Sequence, residues 1–152
     1  MVWKPRVTVA AVIENQGKFL LVEEDSGHQA HTVFNQPAGH LEPGESLINA
    51  VIRETLEETG YDFTPTALVG LYRWIEPASG ETFLRVCFSG EVGQYYPGHP
   101  LDAGIVGPRW LSVAEISELT PSLRSPLVPR CIEDYCAGRR FPLTLLSDMQ
   151  AE

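Results

Sequence analysis

The sequence predicts one α/β domain, spanning 1–152, whose strands are mostly mixed or antiparallel. Three observations carry that expectation. Apolar, β-branched runs at 6–14, 18–24, 63–77 and 81–92 are bounded by turn residues, as strands are. The stretch 46–59 between them switches to three- and four-residue apolar spacing, as a helix does. The 152 residues are 43% apolar and 20% charged, enough to bury one core, with no repeat, low-complexity tract or linker to divide them.

The elements follow in order. "RVTVAAVIE" (6–14) reads as a strand, "NQG" (15–17) as a hairpin turn and "KFLLVEE" (18–24) as the returning strand. "DSGHQAH" (25–31) is polar and glycine-containing, and reads as a mobile loop. "TVFNQPAGHLEPGE" (32–45) begins extended. Pro37, Gly39, Pro43 and Gly44 then break any regular element. Leu47, Ile48, Val51, Ile52 and Leu56 set the helix of 46–59, and Gly60 is its expected stop. Two longer strands, 63–77 and 81–92, are joined by "PASG". A loop (95–107), a short strand "PRWLS" (108–112) and a helix "VAEISEL" (113–119) come next. The last helix is expected at 125–138, with Ser125 as N-cap, Pro126 at the first helical position and Gly138 as the stop.

Charge and composition exclude several partners. The net charge is −9 and the pI about 4.9. A chain this acidic lacks the basic surface that displaces counterions from nucleic acid. It can still meet a phosphate-bearing small molecule through a divalent cation. No apolar run is long enough to span a bilayer, so no membrane partner is expected. The apolar run after Lys4 and Arg6 ends at Ile13 without a small-residue cleavage site, and reads as a strand rather than a signal peptide. Cys87, Cys131 and Cys136 are odd in number and lack CxxC spacing, which fits structural thiols in a reduced cytoplasmic setting. Monomer and homodimer are both compatible with the sequence.

One stretch works against its own local physics. In "RETLEETG" (53–60), Glu54, Glu57 and Glu58 fall within an arc of roughly 100° on a helical wheel, beside the apolar face. They are i,i+3 and i,i+4 neighbours, so they repel. They also sit near the helix C-terminus, where the macrodipole disfavours anions. A solvated acidic face is one reading. The other is a site for a hard divalent cation, Mg²⁺ or Mn²⁺, which turns the repulsion into attraction. Zinc is disfavoured, because no His or Cys lies at matching spacing.

The flanking residues favour the second reading. "GHLEPGESLINAVIRETLEETGY" (39–61) places Gly39, Glu45, Arg53-Glu54, Glu57-Glu58 and Gly60 at the spacing of the Nudix box, and the chain resembles the Nudix hydrolase family. Thr55 departs from the usual aliphatic residue, as does Tyr61 at the end of the box. The resemblance implies a Nudix fold, a mixed β-sheet sandwiched between helices (α/β/α). It implies hydrolysis of a diphosphate linked to another moiety, with Mg²⁺ as cofactor and Mn²⁺ as the alternative. It implies metal ligation by Glu54, Glu57, Glu58 and the carbonyl of Ala38, and organisation of the helix by Arg53 and Glu45. The general base is expected at Glu54 or Glu57, with Glu76, Glu81 and Asp102 as later candidates. "FNQPAGHLE", "WIEP", "FLR", "RWLS" and "LRSPLV" look like the NudJ phosphatase subgroup, over nearly the whole chain to about residue 143. That subgroup implies release of terminal orthophosphate from nucleoside tri- and diphosphates and thiamine-type pyrophosphates. Pyrophosphatase cleavage between the α and β phosphates and nucleoside diphosphate sugar hydrolysis stay open. An intact box disfavours a non-catalytic ligand-binding regulator.

Several residues outside the box are compatible with an aromatic phosphate ester. Arg85 alternates with Phe83 and Cys87 on one strand face; it either pairs with an acidic neighbour or clamps phosphate oxygens. Arg73 and Trp74 divide similarly between strand surface and substrate contact, Trp74 as a stacking platform. Arg124 precedes an expected helix start, where free N–H groups attract anions. Gln36 and His40 flank the box loop and are candidates for the pocket wall. His28 and His31 read as solvated, and His99 as a loop residue.

Overall fold

Strand β1 (Arg6–Val12) is buried on both faces, and the layers stack on either side of it. The computed structural model describes residues 1–27 and 31–150; His28 and part of the expected loop 25–31 lie outside the described residues. After β1 come β2 (Glu14–Asn15), β3 (Lys18–Asp25), β4 (Thr32–Asn35), β5 (Ala38–His40) and α1 (Leu47–Thr59). Then follow β6 (Tyr61–Ile75), β7 (Thr82–Tyr95), β8 (Ile105–Ser112), α2 (Val113–Glu118) and α3 (Leu127–Cys136).

One four-stranded sheet has the order β5-β1-β7-β6. β1 runs parallel to β7 and antiparallel to β5, and β6 runs antiparallel to β7, so this sheet is mixed. In the second sheet β3 pairs antiparallel with β2, β4 and β8. The β2–β3 hairpin turns on Gln16 (φ 52°) and Gly17 (φ 77°), two left-handed residues that match the twist of the strands.

Strand alternation divides the core. Ala10 and Val12 of β1 pack with Cys87, Val128, Cys131 and Ile132 beneath α3. Val9, Ala11 and Ile13 pack with Val86, Phe88, Ala50 and Val51 beneath α1. Burying one such aliphatic side chain contributes about 1.5–3 kcal/mol. The mixed sheet between helices is the expected α/β/α sandwich. Among the described residues no helix is long and apolar enough to cross a membrane.

Four expectations are corrected. Gly39 does not break the chain: it sits in β5, opposite Val9. The expected loop 95–107 is shorter, because β7 runs to Tyr95 and β8 begins at Ile105. The last helix begins at Leu127, one residue later than the expected first helical position Pro126. Ser125 Oγ still accepts from the Leu127 N–H at 3.2 Å, so it caps from one position further out. The fourth concerns the buried face of α1, which shapes the site.

Candidate active site

Helix α1 starts where Ser46 Oγ accepts the Asn49 N–H at 3.0 Å, satisfying one of the first-turn donors. It ends at Gly60, which takes a left-handed conformation (φ 76°) while its N–H closes on the Leu56 carbonyl at 2.9 Å. Apolar spacing alone predicts a buried face of Leu47, Ile48, Val51, Ile52 and Leu56, of which Val51 alone is fully buried. Instead the buried stripe is Ala50, Val51, Glu54, Thr55, Glu58 and Thr59. Two glutamates are therefore turned into the protein, and the bulky aliphatics sit at the edges. Thr55 fits the stripe because its hydroxyl is satisfied by the Val51 carbonyl at 2.8 Å.

Arg53 draws the carboxylates together. Its guanidinium donates to Glu45 at 2.7 and 3.0 Å, to Glu54 at 2.8 Å, to Glu57 at 3.1 Å and to the His40 carbonyl at 3.1 Å. Glu45 is thereby held below its ordinary carboxylate value, chiefly by that hydrogen bond. Asp102 arrives from the β7–β8 connection, with its N–H on the Glu57 carbonyl at 3.0 Å. Oxygens of Glu54, Glu57 and Asp102 lie within 4.8 Å of one another. Glu58 stands apart from that trio, tied to the Ala38 N–H at 2.8 Å. Burial pushes the Glu58 carboxyl up to about 8, and also raises Glu54 and Glu57.

These residues fit a hard divalent cation. The donors are all oxygen, as Mg²⁺ or Mn²⁺ requires. The chain also makes room for them: a Cβ on Gly39 would fall 2.1 Å from the Glu54 carboxyl carbon. Glycine is needed at 39 so that Glu54 can approach the β5 backbone this closely. Glu54, Glu57 and Asp102 would hold the cation, with Glu58 and Ala38 adjoining. Bound there, it supplies charge neutralisation on phosphate oxygens and a lower pKa for a water.

Beside Ala38 and Gly39 opens a cavity of about 190 Å³. Arg85 lines it at only 5% exposure. It donates to Gln36 Oε1 at 2.8 Å and Asn35 Oδ1 at 3.1 Å, both neutral, and forms no ion pair among the described residues. Of the two readings of Arg85, the one that pairs it with an acidic neighbour is not met. A buried cation without a counter-charge is costly unless an anion comes to it. Trp74, His40 and Arg124 also line the cavity, the last 3.3 Å from Glu24. Gln36 does not line it; fully buried, it braces Arg85 and donates to the Val128 carbonyl at 2.7 Å. Arg73 is exposed and not part of the cavity wall, its neighbour Trp74 having taken the inward position.

The comparison with known proteins follows the same lines. The NUDIX domain profile matches residues 4–131. This chain belongs to the NUDIX family. As a NUDIX hydrolase it is an enzyme acting on phosphoanhydrides. It is 44% identical over 146 residues to Phosphatase NudJ of Escherichia coli K12, covering 96% of this chain and 93% of that protein. A solved NUDIX hydrolase from Nitrosomonas europaea superposes with a TM-score of 0.93 at 52% identity, over 96% of this chain and 98% of the other. A UDP-X diphosphatase structure matches at a TM-score of 0.73 and 17% identity, over 93% and 68% of the two chains, and shares the fold.

Of the three later base candidates, Asp102 is the one that joins Glu54 and Glu57 among the described residues. Glu81 is bound to Arg6 at 2.6 Å, and Glu76 accepts from Ser79. Residues the sequence reading passed over are Glu24, Asn35 and Thr8, all lining the cavity. Glu24 carried a signal: it continues the alternation Leu20, Val22 from the core outward, so a carboxylate falls where burial is expected. Its pKa is raised by that burial.

Proposed function

We propose that this NUDIX hydrolase is a Mg²⁺-dependent phosphatase, releasing terminal phosphate from nucleoside tri- and diphosphates and from thiamine-type pyrophosphates in the cytoplasm. The observation that carries the reading is the pairing of opposites across Ala38–Gly39. On one side lie the carboxylates of Glu54, Glu57 and Asp102; on the other, the buried, unneutralised guanidinium of Arg85. A diphosphate bridging the two supplies the anion that Arg85 lacks and shares oxygens with a cation at the trio. Arg124 adds a second cationic contact. Glu54, Glu57 or Asp102 takes the proton from the attacking water, while Arg53 and Glu45 hold the carboxylates in place. Terminal phosphate release is favoured over α–β cleavage because the NudJ relatives, similar over nearly the whole chain, are named phosphatases.

The test is orthophosphate release from nucleoside tri- and diphosphates and thiamine pyrophosphate in Mg²⁺, with and without added inorganic pyrophosphatase. Orthophosphate without the helper, from both tri- and diphosphates and abolished by a chelator, is the expected result. Signal from triphosphates only with the helper means that pyrophosphate leaves, and the reading gives way to a pyrophosphatase.

A further inference from the structure

We infer that Glu76 is a specificity-determining residue, which selects ring systems bearing an amino group over those bearing only oxo groups. The inference rests on the proposed function in that the ligand is a phosphorylated heteroaromatic compound held in the cavity already described. It adds which end of that ligand lies where, and which ring edge is read.

The cavity has chemically distinct ends. Trp74 stands directly opposite Phe83 in the β6–β7 ladder, their ring centroids 5.8 Å apart and inclined at 34°. Arg85 lies two residues along β7 from Phe83, roughly 7 Å deeper. Two residues beyond Trp74 in the other direction is Glu76. All four line the same cavity. The wall therefore runs from a guanidinium, across two aromatic rings, to a carboxylate. Phosphate is drawn to the Arg85 end and repelled from the Glu76 end, so a ring stacked on Trp74 and Phe83 presents its far edge to Glu76.

Glu76 is built to stay there. Its backbone N–H closes on the Glu81 carbonyl at 2.9 Å, and its carbonyl accepts the Gly80 N–H at 2.8 Å. Its Oε2 accepts the Ser79 hydroxyl, which leaves Oε1 for a ligand. The nearby cation is committed elsewhere, Arg6 being bound to Glu81. An ionised carboxylate only accepts hydrogen bonds. An exocyclic amino group satisfies it, whereas an oxo group at the same position sets two acceptors against each other. The oxo analogue keeps a donor only on the adjacent ring nitrogen, which meets the carboxylate after a sideways shift of the ring off Trp74 and Phe83, so the discrimination is smaller than against an analogue with no N–H at all.

Calorimetric titration of the chelator-treated protein with matched pairs, CDP against UDP and ADP against IDP, tests this without turnover. In the wild type the amino member binds at least about tenfold more tightly. Glu76→Gln, whose amide can also donate to an oxo group, brings the ratio below about threefold. Ser79→Ala, which frees the carboxylate to rotate, gives an intermediate ratio and carries the test should Glu76→Gln fail to fold. Equal affinities in the wild type, a ratio that survives both substitutions, or no binding of any nucleotide would each overturn the inference. Discrimination in binding without phosphate release in Mg²⁺ would overturn only the phosphatase reading; release without discrimination would overturn only the role of Glu76.

Discussion

Glu58→Gln exposes what the acidic helix costs the fold. Glu58 is 8% exposed, and burial lifts its pKa from 4.5 to about 8. A carboxyl raised in this way binds its proton more tightly in the folded than in the unfolded chain. The stability it contributes is complete below the unfolded pKa and is lost as pH rises through the folded one. From pH 4.5 to neutrality the unfolded chain sheds this proton while the folded chain must keep it, which lowers stability by about 3 kcal/mol. Glutamine has no proton to shed. Urea unfolding of both proteins in chelator, across this pH range, isolates the effect as a difference of differences. The variant's stability relative to wild type should climb by about 3 kcal/mol from the acidic to the neutral end. Excess Mg²⁺ should shrink the wild-type loss, because a cation bound to the ionised site stabilises the folded state by mass action. Parallel profiles in chelator would refute the argument that burial governs Glu58.

Three further outcomes are expected. Gly39→Ala should leave the melting temperature nearly unchanged, because the atom its Cβ meets is the movable end of Glu54, yet lower kcat/KM at least about a hundredfold by displacing that carboxylate; near-normal turnover would show that Glu54 is not needed where it stands. Arg85→Ala should lower kcat/KM by about 10–100-fold, the worth of one charged hydrogen bond, with Arg85→Lys recovering little because the planar fork is lost; unaltered kinetics with a lowered melting temperature would make Arg85 a structural residue. Asp102→Asn should impair phosphate release while Glu81→Gln, which only breaks the exposed pair with Arg6, should not; the reverse pattern would move the general base to the β6–β7 hairpin.

What the sequence made legible was local. Ser46, the spacing through Leu56 and Gly60 mark α1 nearly to the residue, since caps and periodicity act within a few positions. The box residues fall on one helix and its preceding loop, so Arg53 meets Glu57 as i,i+4 spacing implies, while its contact with Glu45 was legible only through the family resemblance. Contacts across the chain were not legible. Asp102 joins Glu57 through a backbone hydrogen bond 45 positions away in sequence, and Arg85 finds its amide partners about 50 positions away. Arg73 and Trp74 could not be separated either. Their facing depends on strand parity, and β6 shifts register at Pro65/Ala67 and again at Leu68/Gly70, so parity cannot be carried along from the core. The buried face of α1 was misjudged for a similar reason. Hydrophobicity ranks Ile52 and Leu56 above Glu54 and Glu58, but β5 and Gly39 accept the carboxylates.

The many contacts of Arg53 bear on the order in which this protein is assembled. Small zinc domains wait for their metal, because nothing else gathers their ligands. Here one guanidinium gathers Glu45, Glu54 and Glu57 through ion pairs of the chain's own residues. A chain emerging from the ribosome can therefore close this helix against its loop on internal charges alone. For the proposed Mg²⁺-dependent enzyme, chelation should therefore abolish turnover while leaving the yield of folded protein unchanged, which circular dichroism of the chelator-treated protein would check.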